Sequence, residues 1–117
     1  MNYYKLENKK AVPCTMLEWS MMFSTTNRTI AYDKIGDCAI STIFLGIDHS
    51  FTGRPLIFET MVFSEEEFCK RYETYDQAES GHKKIVSLIK EGINPDDLYD
   101  LNLEDAILNK TLKINYK

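Results

Sequence analysis

Proline and glycine are scarce in this chain, 3 and 5 residues of 117. That excludes a collagenous or low-complexity polymer and leaves few breaks in regular structure. Long apolar runs are missing too. Stretches such as Ile43 to Ile47 and Leu56 to Phe58 fall far short of the roughly 20 residues that cross a bilayer. No charged-then-apolar leader opens the chain, so a soluble, cytoplasmic protein without a membrane partner is expected. Cysteine is sparse: Cys14, Cys38 and Cys69 are odd in number and widely spaced. They fit neither a disulfide framework nor the paired spacing of a zinc site, and reduced thiols in the interior are the expectation. Without a leader, Asn27-Arg28-Thr29 and Asn109-Lys110-Thr111 carry no weight as glycosylation sites.

The catalytic signatures are missing as well. No histidine pair brackets a glutamate one helical turn apart, and no glycine-rich loop joins a strand to a helix; Gly53-Arg54-Pro55 is too short to cradle a phosphate. No cofactor is expected, and catalysis is the minor reading. What remains is a globular composition, with 44% hydrophobic and 12% aromatic residues. That is enough for a single domain around one core, spanning 1–117 with its core at about 15–92 and an acidic extension at 93–117.

Charge is unevenly spread. The formal net charge is −4. Between Glu59 and Glu79 lie Glu65, Glu66, Glu67, Glu73 and Asp76, countered by Lys70 and Arg71, and the stretch from Glu91 to Asp105 has acids and no base. Such a surface disfavours direct contact with nucleic acid, whose affinity comes from neutralised phosphates. A basic protein surface is the better partner.

Local signals give a layout. Tyr3 to Leu6 and Lys10 to Val12 read as a short N-terminal strand or hairpin, with Pro13 at an edge or end. Thr15-Met16-Leu17-Glu18 is a capping box opening a helix to about Ser24. Thr29 to Ile35 and Cys38 to Leu45 are β-rich runs joined by Gly36-Asp37, a pair suited to a two-residue hairpin turn. A turn-rich loop, Gly46 to Pro55, leads to a third run, Leu56 to Phe63. Leu56, Phe58, Thr60 and Val62 face one way and Ile57, Glu59, Met61 and Phe63 the other, so the strand reads as central, with Glu59 a misfit. Phe68 to Glu73 reads as a fourth strand. Thr74-Tyr75-Asp76-Gln77 is a second capping box, and Tyr75, Ala78, His82, Ile85 and Ile89 form one apolar stripe ending near Gly92. Asn94-Pro95-Asp96-Asp97 starts a short acidic helix or turn anchored by Leu98, Leu101 and Leu103. The fold class is therefore α+β: a three- to four-stranded antiparallel sheet, hairpin-connected, with an N-terminal helix and a longer C-terminal helix packed on one face.

Two sets of residues are candidates for function. The first helix carries Met16, Leu17, Trp19, Met21, Met22 and Phe23 nearly all round, whereas a helix on a sheet buries only about half its circumference. Either the N-terminal strand and the C-terminal tail cover its far side, or it meets a partner or a second copy in a homodimer. Methionine and tryptophan suit adaptable contacts, so Trp19, Met22 and Phe23, with the acidic turn Glu65, Glu66 and Glu67, form a candidate protein-binding set. That turn also reads as a plain solvated loop. The second set is Asp48, His49, Glu59 and His82, which would bind a ligand or transition metal, or share acid and base roles, if they converged. Nothing in their spacing requires it. His49 reads first as a loop residue bonded to nearby backbone. His82 reads first as a core histidine satisfied by a backbone or carboxylate partner.

The order of motifs from Thr29 to His82 resembles a family of small, mostly uncharacterised bacteriophage and prophage proteins. The likeness rests on Ile40-Ser41-Thr42-Ile43-Phe44-Leu45-Gly46-Ile47-Asp48-His49, on Pro55-Leu56-Ile57-Phe58-Glu59-Thr60-Met61-Val62-Phe63, on Arg71-Tyr72-Glu73-Thr74 and Ala78-Glu79-Ser80-Gly81-His82, and on Trp19 upstream. It covers roughly the middle half of the chain and brings no reaction with it. It implies a viral or mobile-element origin. From that follows the expectation of a stoichiometric binder that blunts a host defence system, anti-CRISPR-like, whose partner is a nucleic-acid-binding effector in the host cytoplasm. A virion or assembly component is the third possibility.

Overall fold

The computed structural model describes residues 2–48, 53–65 and 67–101. Six strands and two α-helices follow in the order β1 (Tyr3–Glu7), β2 (Lys10–Cys14), α1 (Met16–Thr25), β3 (Thr29–Ile35), β4 (Cys38–Phe44), β5 (Phe58–Phe63), β6 (Phe68–Tyr72) and α2 (Tyr75–Lys90), then a 3-10 helix, Pro95–Asp100. β1 and β2 form a separate hairpin, and β3 to β6 make one antiparallel sheet in chain order. Two of the hairpin turns, β1–β2 and β3–β4, are tight. Asn8 and Lys9 take positive φ values of 49° and 67° between Glu7 and its partner Lys10, the pattern of a type I′ turn. Gly36 alone does so in the β3–β4 turn, at 58°.

Period-two patterning fills one face of the sheet. Cys38, Ile40, Thr42 and Phe44 of β4 are buried, as are Phe58, Thr60 and Val62 of β5 and Phe68 and Tyr72 of β6. α2 covers this face. Its buried residues Ala78, Gly81, His82, Ile85, Val86 and Leu88 recur at helical spacing, and both reciprocal capping bonds of Thr74 and Gln77 are formed. One cluster joins Ile40, Val62, Phe68 and Ile85 to Ile93 and Leu98, so the core reaches past Gly92. A second joins Phe44, Phe58, Tyr72 and Ala78, with Tyr4, Leu6 and Met22 packed against it, so the hairpin and α1 close the other end.

No described helix covers the opposite face. Tyr32, Ser41, Met61 and Cys69 form one cross-strand row on it, and Lys34, Ala39 and Phe63 another. Tyr32 and Phe63 are exposed. β5 lies between β4 and β6, as its two-sided bulk predicts. The misfit Glu59 is answered by Arg71, whose Nε donates to Glu59 Oε2 at 3.0 Å from the paired position on β6.

Candidate functional site

α1 is built as its capping box specifies: Thr15 Oγ1 accepts from the Glu18 amide at 3.1 Å, and Glu18 Oε1 accepts from the Thr15 amide at 3.1 Å. Trp19, Met22 and Phe23, spaced by three and four, turn toward the body. The Trp19 indole donates to the Leu45 carbonyl at 3.1 Å, its ring centroid lies 4.2 Å from that of Phe23, and Met22 reaches the core. Gly46 makes this seat possible. A β-carbon there would lie 2.8 Å from Trp19 Nε1 and from the Tyr4 carbonyl oxygen, on a backbone with φ +72°.

Once those three turn inward, the other apolar residues have nowhere to go. Met16, Leu17 and Met21 are 60%, 70% and 60% exposed, and no residue of α1 is buried. The outward surface is therefore Met16, Leu17 and Met21, while of the expected contact residues on α1 only Phe23 is exposed, at 40%. Trp19 and Met22 are half-buried. Covering what remains in water on each outward side chain would contribute about 1–2 kcal/mol.

Glu65 and Glu67 are exposed in the turn between β5 and β6; Glu66 lies outside the described residues. This turn and α1 sit at opposite ends of the sheet. Trp19 meets Leu45 just past β4, opposite the start of β5, whereas Glu65 follows the end of β5. Six strand residues separate them by roughly 20 Å. The acidic end gathers more charge: Asp37 on the β3–β4 turn, Glu91 after α2, and Asp96 and Asp97 on the 3-10 helix all lie there, with Lys34 and Lys90 among them.

Of the second candidate set, Glu59 and His82 fall on opposite faces of the sheet. Glu59 points away from α2, bonded to Arg71 and to the Cys69 thiol at 3.2 Å, while His82 sits beneath α2 on the covered face. Asp48 is in the loop after β4, its amide donating to the Asn2 carbonyl at 3.1 Å, and His49 lies outside the described residues. Among the described residues no three His, Cys, Asp or Glu side chains gather to hold a metal.

His82 instead heads a buried polar chain. Nε2 lies 2.8 Å from Asp33 Oδ2, Nδ1 lies 2.7 Å from Thr42 Oγ1, Thr42 bonds to Thr60, and the Tyr72 hydroxyl donates to Thr60 Oγ1 at 3.0 Å. Thr42 and Thr60 are fully buried cross-strand neighbours, and His82 is 2% exposed. No substrate atom reaches these hydroxyls, so the Asp–His–Thr order locks helix to sheet and does not act as a nucleophilic triad. Burial pushes the Tyr72 phenol up to about 12. Burial first, then the Glu59 hydrogen bond, pushes the Cys69 thiol up to about 11, the reverse of what a nucleophilic cysteine needs.

Sequence reading passed over Asp33, Thr42, Thr60 and Tyr72, although inward-facing threonines in two apolar strand faces are a visible signal of a polar partner above them. It also passed over Arg28, whose guanidinium stacks 3.5 Å over the Phe23 ring; no local pattern marks that residue. The chain matches no family model, no curated protein and no solved structure.

Proposed function

We propose that this protein acts by stoichiometric binding to another protein, with the outward face of α1 as the apolar contact and the acidic end as the electrostatic one. The observation that carries the reading is a capped helix of 10 residues with none buried, presenting Met16, Leu17 and Met21 to water. Contiguous exposed apolar side chains on an otherwise ordinary surface mark interaction sites. The acidic end favours a basic partner, raising the association rate and making it salt-sensitive. A host-defence effector of the nucleic-acid-binding kind has that chemistry, and an anti-CRISPR-like inhibitor is the specific form of the proposal.

Two measurements test it at its two levels. In a host with active CRISPR immunity, expression of the chain is expected to restore phage plating; no restoration across effector types refutes the defence reading. For the binding reading, Leu17→Glu with Met21→Glu is expected to leave the urea midpoint unchanged and to abolish retention of the partner. A partner retained equally by this variant refutes α1 as the contact. A concentration-dependent dimer on sizing, lost in the same variant, would assign the face to a second copy.

A further inference from the structure

A groove of about 220 Å³ lies between the β1–β2 turn, the link from α1 to β3, and the start of α2. Leu6, Met22, Ile30 and Tyr75 make it apolar, Lys9 and Arg28 stand on it, and no carboxylate lines it. That is unexpected in a chain of net charge −4. Arg28 is half-buried. One of its nitrogens, Nη1, donates to the Phe44 carbonyl at 2.9 Å, and no carboxylate among the described residues pairs with it. Charges removed from water ordinarily have an opposite charge beside them. Here burial holds the guanidinium below its ordinary pKa and no carboxylate offsets it. Lys9 comes to the groove from a left-handed turn position, φ 67°, a conformation that costs a lysine about 1 kcal/mol and a glycine nothing. Its ammonium sits 5.4 Å from the centroid of the Tyr75 ring.

We propose that this groove binds a small amphiphilic anion: a carboxylate, held by Arg28 and Lys9, carrying an unbranched apolar chain that lies along Met22, Ile30 and Leu6. The anion supplies the charge that Arg28 lacks, and the chain covers the apolar floor. The volume falls below the roughly 300–1,000 Å³ of sites for drug-sized ligands, so the ligand has on the order of ten non-hydrogen atoms, the size of octanoate.

The test is calorimetric titration of the full chain with octanoate, octanamide and octylammonium, together with amide chemical shifts. Octanoate is expected to bind saturably at one site, shifting Met22 to Ile30 and Tyr75 and leaving Met16, Leu17 and Met21 unmoved. Octanamide is expected to bind about tenfold more weakly, the loss of one charge-assisted contact, and octylammonium not at all. Arg28→Gln is expected to weaken octanoate about tenfold by the same arithmetic. Lys9→Gln, on an exposed turn where folding is not at stake, is expected to weaken it severalfold. Absence of saturable octanoate binding overturns the proposal. So do equal binding of octanamide or octylammonium, unchanged affinity in both variants, or shifts confined to the outward face of α1.

Discussion

Replacing Gly81 by alanine sets helix propensity against packing, and the structure decides the sign. Gly81 lies within α2, where alanine is favoured over glycine by about 1 kcal/mol. Its missing β-carbon is where Tyr72 sits: an added one would lie 2.5 Å from Tyr72 Cε1 and 2.6 Å from Cζ, and would press on the phenol oxygen. Tyr72 is 3% exposed and bonded to Thr60, so its ring cannot swing into solvent. Either α2 lifts from the sheet, an overpacking cost of about 1–3 kcal/mol, or the phenol leaves Thr60, costing a similar amount for buried hydroxyls without partners. Gly81→Ala is therefore expected to destabilise by up to about 2 kcal/mol, the packing cost less the propensity gain, read from the urea midpoint at unchanged slope. A double-mutant cycle isolates the cause. On a Tyr72→Leu background the clash is gone, and the same substitution is expected to be neutral or stabilising, a coupling of about 1–3 kcal/mol, the clash cost itself. An alanine variant stabilised by the full propensity gain, or an equal change on both backgrounds, refutes the reasoning.

Thr42→Val keeps the shape but leaves His82 Nδ1 buried without a partner, and is expected to cost about 1–3 kcal/mol. Asp33→Ala, whose side chain is half in water, costs less, and the order of the two urea midpoints checks the chain of bonds. Stability is also expected to fall at alkaline pH. The folded phenol of Tyr72 keeps its proton to about 12, against 10.0 when unperturbed, so its contribution is complete below pH 10.0, where both states hold the proton. It is lost as the unfolded chain alone ionises, amounting to roughly 3 kcal/mol by pH 12. Tyr72→Phe is expected to flatten that decline in midpoint against pH, and a decline unchanged in the variant would assign it elsewhere. Cys69 is expected to react with iodoacetamide more slowly than an unperturbed thiol, and Glu59→Gln to speed it by removing the negative charge that helps hold the proton on sulfur. Mass-resolved alkylation rates check this.

Much of the architecture was legible because its signals are local. Two capping boxes marked the starts of α1 and α2, Gly36-Asp37 marked the β3–β4 turn, and bulk on both faces marked β5 as a central strand. His82 was expected as a core histidine satisfied by a backbone or carboxylate partner; it is buried, and of the two alternatives the carboxylate, from Asp33, is the one present. What stayed hidden depends on the third dimension. A ring of apolar residues around α1 does not say which side wins the interior, because that is decided by Leu45 and Gly46, far along the chain, which seat Trp19. Likewise Glu59 and His82 both lie in the run of motifs from Thr29 to His82 but fall on opposite faces, since residue 59 is one odd step from Thr60 in a period of two.

The distance between the two poles of the molecule limits how it can engage anything large. One partner engages both Met16, Leu17 and Met21 and Glu65 and Glu67 only if its footprint runs roughly 20 Å along the sheet; two separate bodies can also share them. In the second case the chain is a tether, and whatever docks first raises the local concentration of its counterpart for the second.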